Sequence, residues 1–338
     1  MKLGLGMHSK MLTPDNLRFA RQCGATHIVA HTPFADRRIP GQFVEPWSFE
    51  ELVELRKLIN DAGLELEAIE NFLPVFWSDV LLDGPKKAAQ MENLKQIIRN
   101  VGRAGIPIFG YNFSLAGVWG RDHGPYARGD ADTVAYLDPE QPPIPLGMVW
   151  NQVVDPSAPA GNLAPVSQAQ LWERYTYFMK AIMPVAEEAG VVMALHPDDP
   201  PLPTLRGTAR LVYQPRIYQD VFNLYPSANN QAELCLGTVS EMSEGDALDT
   251  ADTLSAANKA AYIHFRNVRG KVPNYYEVFI DEGDTDMISL LRILHKNNYQ
   301  GVLIPDHTPS MSCPGPWHAG MAFALGYMRA AMNIITKS

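Results

Sequence analysis

Eight short apolar runs recur along the chain, each followed by a longer amphipathic stretch, and this alternation limits the possible folds more than any other feature. The runs cover residues 2–6, 26–30, 64–70, 106–111, 191–196, 232–236, 260–265 and 301–305. They are apolar on both faces, as strands of a parallel sheet covered by helices must be. Helical periodicity fills the intervals at 14–23, 49–62, 86–104, 168–189, 247–258, 287–297 and 318–335, with a shorter piece near 217–224. Pro14 sits just inside the first helix, and Gly24, Gly63, Gly105 and Gly190 each stand just past a helix end, where a left-handed residue stops the helix. Eight strand–helix pairs predict an α/β fold of the TIM (β/α)8 barrel type; an open doubly wound sheet is the other arrangement the pattern allows. No period of 20–50 residues repeats, which excludes a solenoid. Barrels with insertions reach 338 residues as one unit, so a single domain over 1–338 is expected.

Two segments break the alternation. Residues 113–166, rich in Pro, Gly and Asp, lie between strand four and its helix, and a smaller insertion at 197–215 follows strand five. Both leave the C-terminal ends of strands, the barrel face on which active sites are built. The longer one is expected to be a lid or a substrate wall; a packing or oligomer-contact loop is the other reading.

Composition bounds the function. A net charge of −9 argues against a nucleic-acid partner. No run approaches the ~18 apolar residues of a membrane span, and the opening MKLGLGMHSKML lacks the apolar core of a signal peptide. The three cysteines, Cys23, Cys235 and Cys313, are too few and odd in number for a disulfide framework and fit a reducing cytoplasm. A small-molecule substrate, no nucleic acid, no membrane and a homo-oligomeric assembly are the expectations. No Walker loop, G-x-S-x-G elbow or dinucleotide glycine fingerprint follows a strand.

The chemistry lies at the strand ends. Strand five ends in ALHPDD with His196, strand six in AELCLGT with Cys235, strand seven in AAYIHFRNV with His264, and strand eight in VLIPDHTPS with Asp306. Imidazole, thiolate and carboxylate are all metal donors, and a barrel mouth gathers successive strand ends, so these four are read as ligands of one metal. Thiolate chemistry alone favours Zn²⁺ or Fe²⁺. His307 follows Asp306 and is either an acid/base beside the metal or a hydrogen-bonding support. Arg266 and Asn267 follow His264; Arg266 either forks onto a substrate carboxylate or pairs with Asp281 or Asp284 in FIDEGDTDM. That acidic run lacks the calcium-loop spacing and reads as a loop ending in a helix cap at Thr285 or Asp286. Strands one to four end near His8, His31, Glu70, Asn71, Tyr111 and Asn112, candidate binders of substrate hydroxyls, and Trp119 and Arg121 are candidates from the long insertion.

Together these residues resemble the mannonate dehydratase family of the xylose-isomerase-like barrels. The resemblance rests on residues 1–31, YNF at 111–113, CLGT at 235–238, HFRNV at 264–268, FIDEGDTDM at 279–287 and PDH at 305–307. It runs nearly end to end and is looser in the two insertions. It implies a divalent metal, Mn²⁺ with Fe²⁺ or another divalent ion as alternatives, held at His196, Cys235, His264 and Asp306. It also implies a lyase of hexuronate catabolism that dehydrates D-mannonate, or a close aldonic acid, to 2-keto-3-deoxy-D-gluconate, with an acid/base at His307. One position departs from the pattern. The family's proton-transferring Tyr, aligned on Ala324-Leu325-Gly326, falls at Met321 here. His318 is the expected replacement and Tyr327 the next. A metal-dependent sugar isomerase or epimerase, and a non-catalytic sugar-acid binder, are the rival functions.

Overall fold

The computed structural model describes residues 1–35 and 45–337. The chain opens with β1 (Lys2–His8), α1 (Pro14–Gln22), β2 (His27–His31), α2 (Phe49–Asp61) and β3 (Glu65–Glu70). Helices α3 (Pro74–Leu82) and α4 (Lys87–Arg103) lead to β4 (Ile108–Tyr111). A long excursion then carries β5 (Arg121–Ala127), β6 (Ala131–Leu137), β7 (Met148–Val149) and β8 (Gln152–Val153) before α5 (Gln168–Ala189). Next come β9 (Val192–Leu195), the small hairpin β10 (Thr204–Leu205) and β11 (Thr208–Ala209), α6 (Ile217–Leu224) and β12 (Asn230–Cys235). Helices α7 (Leu236–Glu241) and α8 (Ala247–Ala256) and strand β13 (Ala260–His264) precede a further hairpin, β14 (Val268–Lys271) and β15 (Asn274–Glu277). The chain ends with α9 (Met287–Lys296), β16 (Val302–Ile304) and α10 (Pro316–Ile335).

Eight parallel strands close in the order β1-β16-β13-β12-β9-β4-β3-β2, so the expected barrel forms and the open sheet does not. Local chemistry sets the helix limits. Thr13 caps α1, Ser48 with Glu51 and Ser167 with Gln170 form reciprocal capping boxes on α2 and α5, and Gly190 ends α5 in the left-handed region. Asp286, anticipated as a cap, accepts from the backbone of Ile288 and Ser289 at the start of α9. The core has two parts. Val29, Ala68, Ile108, Ala194, Tyr262, Val302 and Ile304 fill the barrel interior, and a larger apolar layer lies between strands and helices. Among the described residues no helix is long and apolar enough to cross a membrane.

The excursion after β4 is tied to the opposite side of the barrel mouth. Strands β5 and β6 join β15 and β14 in one antiparallel sheet of order β14-β15-β6-β5, in which β6 pairs with β15, Tyr136 opposite Tyr275 and Ala135 opposite Tyr276. Ser310 donates its backbone N–H to Asp132 O at 2.8 Å. Arg128 pairs with Asp281 at 3.0 Å and with Glu282 at 3.2 Å. No signal in the sequence marks strands between strand seven and FIDEGDTDM. The strands there, VRGK and NYYE, are too short and polar to stand out; they pair with each other, and NYYE pairs on its other edge with β6 from a distant part of the chain.

Candidate functional site

Register brings the strand-end side chains to one height. His8 lies opposite His31, His31 opposite Glu70, and Cys235 opposite His264 in the parallel ladder. His196 follows β9 by one residue, and Asp306, with φ 60°, turns the chain out of β16 toward the same mouth. Above these ends opens a cavity of about 450 Å³. His8, His31, Glu70, His196, His264 and Asp306 line its floor; Val118, Arg121, Val134 and Trp150 come from the excursion; Met11, Trp317 and Met321 form a wall.

His196, Cys235 and His264 each place one donor atom within 4.8 Å of the others, and His31, Glu70 and His264 form a second such group. Asp306 Oδ2 lies 3.4 Å from His264 Nδ1 in a geometry that makes no hydrogen bond, so this buried nitrogen has no hydrogen-bond partner among the described residues. Such an orphaned buried nitrogen is costly unless something else binds it. Burial alone would raise the Cys235 thiol, but the Arg266 guanidinium and the neighbouring imidazoles of His196 and His264 hold it well below the usual thiol range. Burial would likewise raise Asp306, yet His307, His264 and Arg266 keep it well below the carboxylate range. Two imidazoles and a thiolate gathered within 4.8 Å of one another, with the Asp306 carboxylate against one of the imidazoles, are a donor set that fits a divalent cation.

Carboxylates support this set from beneath. Glu70 Oε1 lies 3.0 Å from His31 Nδ1, and Glu70 Oε2 lies 3.2 Å from His264 Nε2 and 3.1 Å from the Tyr262 hydroxyl. Burial opposes ionisation of Glu70, but the rings of His31 and His264 hold it well below the ordinary range. Glu70, expected at the substrate, thus also holds the ring of His264. Glu233, which the sequence reading passed over, is fully buried two residues before Cys235 on the same strand face, with Oε1 3.0 Å from His264 Nε2. Burial, and then the nearby Glu70 charge, push it up. A Cβ on Gly110 would come within 2.5 Å of Glu233 Oε2, so only glycine leaves room for this acid. An acid inside an otherwise apolar buried strand, as in AELC, was a readable signal.

The remaining candidates divide. His8, His31, Asn112, Arg121 and His307 line the cavity, as does Asn71. Asn112 donates Nδ2 to Pro197 O at 3.3 Å, while Asn112 Oδ1 and Asn71 Oδ1 are buried without partners among the described residues. Burial and then the neighbouring His31 hold His8 down to about 4. His307 Nδ1 lies 2.9 Å from Glu277 Oε2.

Other expected binders are placed elsewhere. Arg266 is only 2% exposed; its guanidinium contacts Glu277 at 2.8 Å, Glu241 at 2.9 Å, Asp199 at 3.0 Å and Asp306 at 3.2 Å, which leaves no fork for a substrate. Neither Asp281 nor Asp284 is among these partners. Asn267 is a buried loop clamp, donating to Ile280 O at 3.1 Å and Thr285 O at 3.0 Å. Trp119 does not line the cavity; Arg206 lies 3.9 Å over its ring. His318 also points away, with Nε2 2.9 Å from Asn16 Oδ1 and its ring edge-on to Phe19. Tyr327 packs against the core outside the cavity. Met321 does line the cavity.

Known proteins match this arrangement. The D-mannonate dehydratase (UxuA) family model matches residues 2–142 and 160–336. The unmatched stretch between them lies in the excursion and contains Trp150 of the cavity wall. A mannonate dehydratase of Streptococcus suis (strain 05ZYH33) is 33% identical over 277 residues, covering 78% of this chain and 75% of the relative. The crystal structure of mannonate dehydratase from Streptococcus suis serotype2 superposes with a TM-score of 0.83 at 28% identity, covering 100% of this chain and 94% of that one. The xylose isomerase domain protein of Planctomyces limnophilus, with a TM-score of 0.63 at 12% identity and coverage of 100% of this chain and 99% of that one, shares the fold alone. With a family model spanning nearly the whole barrel and a relative this similar, the chain belongs to the D-mannonate dehydratase family.

Proposed function

We propose that this chain is a hydro-lyase that removes water from D-mannonate, or a closely related aldonic acid, to give 2-keto-3-deoxy-D-gluconate. The observation that carries the reading is the convergence of His196, Cys235 and His264, with Asp306 against His264, in a cavity that Arg121 and His307 also line. Family membership supports it. The three cysteines are free, which fits the reducing cytoplasm we propose as its compartment.

Dehydration of a 2,3-dihydroxy acid takes the proton from the carbon beside the carboxylate and expels the 3-hydroxyl as water. The resulting enol tautomerises to the 2-keto-3-deoxy acid. His196, Cys235, His264 and Asp306 would hold a divalent cation, Mn²⁺ in our reading with Fe²⁺ as the alternative that a thiolate also accepts, which would supply Lewis-acid stabilisation of negative charge on the substrate. Arg121 offers its guanidinium to the substrate carboxylate; its nearest acid among the described residues, Glu277, is 3.9 Å away, too far for a hydrogen bond. His307 transfers a proton at its ring. His8 also lines the cavity, and with Asn71 and Asn112 it faces the substrate hydroxyls.

Incubation of the Mn²⁺-loaded protein with a panel of aldonic and uronic acids tests the reading. A 2-keto-3-deoxy product is expected. An isomeric sugar or acid as product makes the chain an isomerase or epimerase, and saturable binding without turnover makes it a binder; either result overturns the proposal.

A further inference from the structure

Glu277 belongs to none of the motifs and to none of the barrel strands. It closes β15, in the sheet that spans the barrel mouth, opposite Val268 of β14. It is nonetheless 3% exposed and reaches the only imidazole that follows strand eight before α10. Its Oε2 lies 2.9 Å from His307 Nδ1 and its Oε1 lies 3.2 Å from the same nitrogen. Oε1 also accepts from Arg266 Nη1 at 2.8 Å, and Arg266 is clamped in turn by Glu241 at 2.9 Å and Asp199 at 3.0 Å. Glu277 is therefore a buried carboxylate bonded on the far side to a guanidinium that two further carboxylates hold.

From this geometry we propose that Glu277 is the positioning residue for His307, setting both the ring orientation and the nitrogen that carries the proton. An ionised carboxylate only accepts hydrogen bonds, so the facing Nδ1 must be the protonated atom. Nε2 is then the atom that takes and returns a proton. It lies 3.5 Å from Asp306 Oδ1, at the metal-donor end of the cavity. A ring held by one contact alone would sample rotations about its last side-chain bond, and the two oxygens flanking Nδ1 remove that freedom. Removing reorientation from the reactive geometry lowers the barrier, as a buried acid does for the imidazole of a hydrolase triad. The arrangement also anchors the proton-transfer group to the sheet that carries Arg121, so one buried acid sits beside both the base and the cation proposed for the substrate carboxylate.

This inference rests on His307 as the proton-transfer group, and the test separates the two ideas. His307→Asn, Glu277→Gln, Glu277→Asp and the double variant H307N/E277Q are compared for kcat, KM and metal content on the best substrate of the panel. E277Q is expected to lower kcat about tenfold to a hundredfold, with metal content unchanged. E277D, which keeps the charge, should recover part of the loss. Added to H307N, E277Q should cost nothing more, because its contribution passes through the ring that is gone. If H307N is inactive while E277Q turns over like wild type, the pairing is wrong and the role of His307 stands. A further loss from E277Q on the H307N background also overturns the pairing. If H307N itself keeps wild-type turnover, both ideas fall. Should E277Q not fold, E277D must still lower kcat, and an unchanged kcat there overturns the proposal.

Discussion

The ring of His264 has a carboxylate on each side, with Asp306 Oδ2 3.4 Å from Nδ1 and Glu70 Oε2 3.2 Å from Nε2, where Glu233 Oε1 also lies at 3.0 Å. A single imidazole nitrogen binds a metal, and the other is held by a hydrogen-bond acceptor that fixes the ring. Here the nitrogen without a hydrogen bond is Nδ1, and Glu70 holds Nε2. Glu70→Gln should therefore weaken metal binding about tenfold to a hundredfold without removing a ligand. Metal titration of the stripped protein measures this, and an unchanged affinity would mean that Glu70 does not orient the ring.

The donor set itself is open to a harsher test. Cys235→Ser keeps a donor atom but loses the soft thiolate, so metal content should fall. The double variant H264A/D306A should lose the metal altogether. Elemental analysis of the purified proteins reads both, and full occupancy in the double variant would end the four-donor assignment.

Arg121 lines the cavity from β5, far in sequence from every proposed ligand. If it holds the substrate carboxylate, Arg121→Ala should raise KM tenfold or more, since a charged hydrogen-bonded contact contributes about 1.5–3 kcal/mol. Circular dichroism should show the fold intact, because the sheet that carries it is held by backbone pairing. Wild-type kinetics in this variant would leave the excursion a purely structural wall.

The acid limb of stability should carry the mark of Glu277. Burial opposes its charge, but His307, Arg266 and Arg121 bring it down from 4.5 to about 2. As pH falls below the ordinary value, the unfolded chain takes up a proton that the folded chain refuses. Stability from this group is present above that value and is lost as pH falls toward 2. The slope it adds is at most about 1.4 kcal/mol per pH unit within the window. Denaturant midpoints of wild type and E277Q should therefore draw together as the medium is acidified and run parallel above pH about 5.5. Parallel curves throughout would show that Glu277 is not the ionised partner described here.

What was legible in the chain follows from what acts locally. The barrel strands are buried on both faces, so their apolar runs stand out, and a His, Cys or Asp at the end of such a run is conspicuous. That is why His196, Cys235, His264 and Asp306 could be picked together. Arg266 was misjudged because a sequence shows a charge near the site but not the acids that enclose it; Asp199, Glu241 and Glu277 come from three other segments. Glu277 was invisible for the same reason. It reaches His307 only because β15 pairs with β6 across the barrel mouth, and a contact between distant segments leaves no periodicity to read. Glu233 is a different case, since a buried acid within AELC is a local signal that a count of apolar neighbours exposes.

The fate of His318 decides how the second proton moves. The sequence suggested it as the substitute for the family's Tyr, because it follows strand eight and stands close to Met321. The structure turns it away, holding Nε2 2.9 Å from Asn16 Oδ1, with the ring edge-on to Phe19 at 4.9 Å and to Trp317 at 4.9 Å. Met321 takes the place at the cavity wall, and a thioether has no proton to give. His318→Gln keeps a donor for Asn16 and should leave kcat within about twofold, since it removes no group from the reacting centre. His307→Asn should cost ~10²–10⁴ in kcat, the range for loss of a general acid or base. Both are measured at full metal content on the same substrate. Equal losses in the two variants would return His318 to proton transfer and would require the start of α10 to swing into the cavity when substrate binds. A loss in neither would remove proton transfer from this part of the rim and leave His8 as the imidazole to test.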